Sequence, residues 1–192
     1  MRKVIPFIAS NYRKDKIWLR RTKPSKREYN IIVAVDDSTS MRVHNVNQIV
    51  DKSLAILCQT LSSLEVGKFG LVKFGKETEI VHHLQVTKKN LVNLHGYKVL
   101  FTLQSKFAQD DGVRLLKSCT YEQEATHFVK MMKVCETMFK TCHGRSTSQL
   151  LLILSDGRGI YSEGKNKVLE QVRKLKLANV FIVFVIIETN SK

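Results

Sequence analysis

The stretch Ile31-Ile32-Val33-Ala34-Val35-Asp36-Asp37-Ser38-Thr39-Ser40 decides the fold. Its first five residues are apolar and mostly β-branched, with no alternation of apolar and polar positions. A strand of that kind is covered on both faces, as in a parallel sheet. It ends abruptly in acids and hydroxyls, so the polar cluster falls at a strand's carboxyl end.

The surrounding sequence repeats this design. Val46, Ile49, Val50, Leu57, Leu61 and Leu64 recur at three- and four-residue steps, which predicts a helix that stops near Gly67. Phe69 to Gly75 and Thr78 to Leu84 read as two strands around the turn at Gly75-Lys76-Glu77, the second an antiparallel edge. Phe128, Met131, Met132, Cys135, Phe139 and Cys142 mark another helix. Leu150 to Leu154 is a second buried strand, ending in Ser155-Asp156-Gly157. A helix through Val168, Leu169, Val172 and Leu175 follows, and Val180 to Ile187 reads as a third buried strand. Alternating strands and helices with unalternating strands imply an α/β fold with a doubly wound, mostly parallel open sheet, whose ligand site lies at the carboxyl ends of its strands.

At 192 residues and 43% apolar side chains, the chain suits one domain with a substantial core and an appendage. Its 32 Lys and Arg against 17 Asp and Glu give +15, a field that favours anionic partners. Residues 1 to 30 hold ten Lys or Arg against Asp15 and Glu28, so 10 − 2 = +8 of that charge is concentrated at the amino end. We therefore divide the chain into a basic extension, 1–29, and a domain, 30–192. Cys58, Cys119, Cys135 and Cys142 form no C-x-x-C pair and read as reduced, buried thiols of an intracellular protein. No apolar run is long enough for a membrane span, and the amino terminus lacks the apolar stretch of a secretory signal.

Asp36-x-Ser38-x-Ser40 places a carboxylate and two hydroxyls on one tight loop, where alternate side chains converge. Hard oxygen donors suit Mg²⁺ or Mn²⁺ far better than zinc. One small loop cannot supply six ligands, and Thr126 and Asp156 are the candidates from neighbouring loops. Asp156 follows its strand as Asp36 ends the first, so adjacency of the two strands would bring both carboxylates together around a cation. The bland alternative is that Asp36 and Ser38 cap the next helix. A phosphoacceptor receiver domain would leave Ser38, Ser40 and Thr126 without a task, and a dehalogenase-type phosphatase would need an acid where Ser38 stands. The paired His82 and His83 would point to opposite faces of a strand, and Met131, Met132, Cys135 and Met138 have the spacing of core. Neither G-x-S-x-G nor G-x-x-x-x-G-K-[ST] occurs, so no nucleophile elbow or phosphate-cradling loop is expected.

Val35-Asp36-Asp37-Ser38-Thr39-Ser40-Met41 resembles the D-x-S-x-S motif of von Willebrand A and integrin I domains. In its Asp-Asp-Ser form it is similar to the carboxyl-terminal domain of the midasin family of AAA-type ribosome-assembly ATPases. Lys14-Asp15-Lys16-Ile17-Trp18-Leu19-Arg20-Arg21-Thr22-Lys23-Pro24-Ser25-Lys26-Arg27, Leu64-Glu65-Val66-Gly67 and Ser155-Asp156-Gly157-Arg158-Gly159 also resemble that family.

The resemblance implies a metal-ion-dependent adhesion site (MIDAS). Ser38 and Ser40 would ligate directly, Asp36 and Asp156 directly or through water, and Thr126 would be the second-loop threonine. A partner's Glu or Asp would complete the shell, making the domain a binding module and not a catalyst. It further implies a grip on ubiquitin-like domains of assembly factors on the pre-ribosomal particle, large-subunit biogenesis and export, a place in the nucleolus and nucleoplasm, and ATPase modules elsewhere in a longer protein. Two departures are expected: an insertion over 86–105, and loss of the family's final strand and helix, because the chain stops at Lys192. The alternative function is a basic RNA-binding module with a vestigial metal site. Arg20, Arg21, Lys23, Lys26 and Arg27 would then contact RNA or an import receptor.

Overall fold

The computed structural model describes residues 29–63, 67–82, 98–99, 116–141 and 148–188. Strands β1 (Tyr29–Asp36), β2 (Gly67–Phe74), β3 (Thr78–His82), β4 (Lys98–Val99), β5 (Ser148–Ser155) and β6 (Val180–Ile186) form one sheet in the order β4-β3-β2-β1-β5-β6. All neighbouring strands run parallel except β2 and β3. Helix α1 (Val46–Ser63) joins β1 to β2, α2 (Phe128–Lys140) precedes β5, and α3 (Lys165–Leu177) joins β5 to β6.

Successive β1 side chains alternate between two apolar layers. Ile32 and Ala34 join Phe128, Met131, Met132, Cys135 and Met138 of α2 and Val168 and Leu175 of α3. Ile31, Val33 and Val35 pack with Val46, Val50, Leu54 and Cys58 of α1. Every β1 residue after Tyr29 is buried, which is why the strand reads as uninterrupted apolar sequence. The methionine stripe is core, as its helical spacing implies. Cys58 and Cys135 are buried and Cys119 is half-buried, all three as free thiols. Burial pushes the Cys58 and Cys119 thiols up to about 12, which keeps them protonated.

Several expectations need correction. The buried stripe of α1 is Val46, Val50, Leu54 and Cys58, whereas Ile49 is exposed, because steps of four keep one line of the helix against the sheet. A 3-10 helix, Thr39–Asn45, intervenes between the polar loop and α1. Strand β3 is antiparallel as expected but is not an edge, since β4 pairs with it from within the expected insertion. Leu169 is exposed on α3, and Gln171 is buried instead. Strand β6 buries only Val180 and leaves Phe181 69% and Ile186 60% exposed, so it is not covered on both faces. Strand β1 begins at Tyr29, in register with Gly67 and Ser148. Residues 1–28, with Arg20, Arg21, Lys23, Lys26 and Arg27, lie outside the described residues, as do Leu64, His83, Cys142 and most of 86–105. Among the described residues, no helix is long and apolar enough to cross a membrane.

Candidate metal centre at the carboxyl edge of the sheet

Strand β1 is flanked by β2 on one side and β5 on the other, so the chain leaves it in one direction and returns in the opposite one. A crevice opens at the carboxyl ends of such a pair. Val35 is in register with Leu154, which puts Asp36 and the Ser155-Asp156 turn side by side.

Asp36 is fully buried. Its Oδ1 accepts the Ser38 N–H at 3.0 Å and its Oδ2 accepts the Ser155 hydroxyl at 2.6 Å. Burial pushes the Asp36 carboxyl above the ordinary carboxylate range; those two hydrogen bonds oppose the shift and the nearby Asp156 charge adds to it. The Ser38 and Ser40 hydroxyls lie 2.9 Å apart. Ser38 occupies the cap position of the 3-10 helix but makes no side-chain capping bond, so its hydroxyl is not spent as a cap.

Asp156 uses Oδ1 to accept the Arg158 N–H at 3.0 Å. Its Oδ2 is buried and accepts no hydrogen bond among the described residues, and Arg158 Nε stands 3.7 Å away, beyond hydrogen-bond length. A buried carboxylate oxygen without a donor is costly unless a cation meets it.

The second loop, 119–127, is fastened to the first. Ser38 bridges in parallel to Gln123, Thr39 N–H donates to Gln123 O at 2.9 Å, and Gln123 N–H donates to Asp37 O at 3.3 Å. Asp37 is a buried strut under both loops. Its carboxylate accepts the Tyr121 N–H at 2.6 Å and the Gln123 amide at 3.1 Å, with Lys73 Nζ at 3.5 Å. Lys73 also reaches Glu79 at 3.1 Å and the Ser118 carbonyl at 2.8 Å.

The third loop meets the second at Gly159. A methyl group there would lie 2.5 Å from Thr126 Cβ and 2.6 Å from its Oγ1, so only glycine lets the threonine approach. Ser162 Oγ donates to the Thr126 carbonyl at 2.6 Å, and Glu163 Oε2 accepts the Val129 N–H at 2.6 Å at the start of α2. Ser38, Ser40, Thr126, Arg158, Gly159, Glu124 and Glu163 line a hollow of about 410 Å³.

All five sequence-predicted residues therefore collect at one edge. Ser38, Ser40 and Thr126 line the hollow, while Asp36 is fully buried and Asp156 keeps 7% of its side chain exposed. The donor set of two carboxylates and three hydroxyls fits a hard divalent cation such as Mg²⁺ or Mn²⁺, and the donorless Asp156 oxygen is the observation that tests that fit. Sequence reasoning assigned no role to Asp37, Ser155, Gln123 or Gly159. Ser155 and Gly159 carried a signal in Ser155-Asp156-Gly157-Arg158-Gly159, but the Asp37 contacts join segments more than 80 residues apart, and no local pattern reports them.

The family model of the von Willebrand factor type A domain matches residues 30–192. The chain is 31% identical to the midasin of Dictyostelium discoideum over 192 residues, covering 98% of this chain and 3% of that protein. It is 33% identical to the midasin of Giardia intestinalis over 193 residues, covering 100% of this chain and 4% of that protein. It thus spans a small fraction of the length of these relatives. Manganese-loaded Plasmodium vivax TRAP superposes with a TM-score of 0.61 at 20% identity, over 83% of this chain and 57% of that one. Mussel byssus proximal thread matrix protein 1, with a zinc-occupied MIDAS motif, superposes with a TM-score of 0.57 at 18% identity, over 82% and 37%.

Proposed function

Since the chain belongs to the von Willebrand factor type A domain family, we propose that it is a metal-ion-dependent protein-binding domain of midasin type. Asp36, Ser38, Ser40, Thr126 and Asp156 would hold one Mg²⁺ or Mn²⁺, which would supply a Lewis-acidic point for a Glu or Asp carboxylate of a partner. The buried Asp156 Oδ2 without a donor, beside the buried Asp36, carries this reading.

The chain's own residues orient and insulate that position. Ser155 Oγ holds one oxygen of Asp36 and Ser38 N–H the other, so the carboxylate is aimed before any cation arrives. Asp37 and Lys73 pin the second loop, and Gly159 admits Thr126. The reading is of a grip and not of an enzyme, as suits a von Willebrand factor type A domain.

Identity to two midasins supports a wider setting. The partner is a ubiquitin-like domain of a large-subunit assembly factor on the pre-ribosomal particle, the place is the nucleus, and the ATPase modules belong to a longer protein. The +15 charge suits a particle rich in RNA. Binding of such a domain should be lost in chelator and on Asp156→Ala or Ser40→Ala. A complex that stays intact in chelator would overturn the proposal. Binding that instead follows residues 1 to 27, with a steep salt slope, would favour RNA contact by the basic segment.

A further inference from the structure

The rim of the hollow holds one residue that metal binding alone does not account for. Arg158 stands two positions after Asp156, and its backbone N–H ties it to Asp156 Oδ1 at 3.0 Å. Its guanidinium reaches Asp156 Oδ2 only at 3.7 Å and through Nε, and its side chain is 63% exposed. Among the described residues, the terminal nitrogens of the guanidinium meet no acceptor. A positive charge beside a cation site weakens cation binding by Coulomb repulsion, so Arg158 is poorly placed to help hold a metal. It is well placed to receive an anion arriving over that metal, because its planar fork matches a carboxylate.

The rest of the rim narrows the kind of anion. Glu124 and Glu163 line the same hollow, and a continuous polyanion laid across it would meet both. Glu163 is already engaged, with Oε2 on the Val129 N–H at 2.6 Å and Oε1 3.7 Å from His127. A compact acidic pair on a protein surface fits a rim that is positive on one side and negative on the other.

We propose that Arg158 is a second anchor for the partner, so that the surface recognised is a pair of neighbouring carboxylates, one for the cation and one for the guanidinium. This rests on the metal-dependent binding proposed above. It gives Arg158 two opposed effects, a small penalty on metal uptake and a gain in carboxylate docking. A residue that merely braced its own loop would move both in the same direction.

The test uses the full chain and defined small probes. Isothermal titration first measures Mg²⁺ and Mn²⁺ uptake. It then measures acetate against succinate, glutarate and adipate on the metal-loaded protein at fixed ionic strength. The wild-type chain should prefer its best-fitting dicarboxylate over acetate by roughly three- to tenfold. Arg158→Gln should abolish that preference, leave acetate binding in place, and tighten metal binding by about two- to fivefold at low salt. Arg158→Lys should keep the wild-type metal affinity and lose most of the preference, because the fork is gone. A wild-type chain that takes up the cation but ranks acetate and dicarboxylates equally overturns this inference alone. So does an Arg158→Gln chain that keeps the preference or binds metal more weakly. A wild-type chain that takes up no cation overturns the metal reading and this inference with it.

Discussion

Gly159→Ala probes the candidate centre without touching any proposed ligand. Gly159 is not among the glycines with positive φ, so alanine meets no backbone penalty there and the effect is steric. The new methyl would sit 2.5 Å from Thr126 Cβ, 2.6 Å from Oγ1 and 3.0 Å from Cγ2. Unbonded carbons settle at about 3.5–4.0 Å, so the second and third loops must part by about 1 Å. Overpacking of this kind costs about 1–3 kcal/mol, which for a chain of this size lowers the melting temperature by roughly 2–12 °C. The metal readout should be sharper. Oxygen ligands of Mg²⁺ lie at about 2.0–2.1 Å, and a shift of about 1 Å takes the Thr126 hydroxyl out of the shell. Mg²⁺ affinity should fall by about 10- to 100-fold, the range expected when groups that orient a metal ligand are lost. Calorimetric Mg²⁺ titration and thermal melting in chelator give the two numbers separately. Thr126→Gly removes the clashing atoms, so Gly159→Ala should add little in that background. A Gly159→Ala chain that melts and binds Mg²⁺ as wild type does would refute the packing argument.

Three further outcomes follow from particular contacts. Asp37→Ala should cost about 3–5 kcal/mol, because it leaves Lys73 a buried charge with less compensation and frees the Tyr121 N–H; amide exchange at Tyr121 and Gln123 should quicken, whereas Thr120→Ala, which loses only a 3.4 Å contact, should change little. The second outcome concerns pH. Burial raises the Asp36 carboxyl, so between the ordinary carboxylate range and its own higher value the folded chain holds a proton that the unfolded chain has released. Metal-free stability contributed by this group is therefore present at the acid end and lost as pH rises through that window, while Mg²⁺ binding, which needs the proton gone, strengthens; denaturation in chelator, wild type minus Asp36→Asn, should show that slope, and a slope of the opposite sign would discredit the burial argument. Finally, Phe128→Ala should destabilise by about 3–5 kcal/mol on denaturant titration, since the ring is fully buried between Phe74 at 6.1 Å and Phe184 at 5.5 Å.

How much of this was legible beforehand depends on how far each feature reaches along the chain. Strand β1 announced itself because both its faces are covered, and the Asp36 loop because its donors lie at alternate positions. Asp156 could be joined to it once parallel strands were expected to end at a common edge, whereas Thr126, which precedes a helix, was placed as the second-loop threonine by the family resemblance. Ile49 and Leu169 were misread because apolar residues flank a helix's buried line as well as occupying it, and periodicity alone does not mark the line's width. Strand β6 was misread for a related reason. Val-Phe-Ile-Val-Phe-Val-Ile has the apolar composition of a doubly covered strand, yet burial depends on which elements pack against it. β4 is two residues long and carries no pattern of its own.

The deeper reason that the carboxyl edge reads as a cation site lies in how its three acids are neutralised. Asp36, Asp37 and Asp156 all withdraw from solvent within one small region. Asp37 has a cation of its own, the half-shared Lys73, and donors for both oxygens. Asp36 has donors for both oxygens but no cation, and Asp156 has a donor for one oxygen and a distant, exposed guanidinium for the other. Lys73 thus removes Asp37 from competition and leaves two carboxylates facing one deficit of positive charge. The Asp156 charge adds to the cost of ionising Asp36, and a divalent cation between the two would offset that cost, whereas a second lysine would have balanced only one acid. That charge pattern separates this edge from an ordinary strand-to-helix loop. In a capping loop one of the acid's oxygens takes a backbone N–H and the other meets water, so no buried carboxylate oxygen is left wanting a partner.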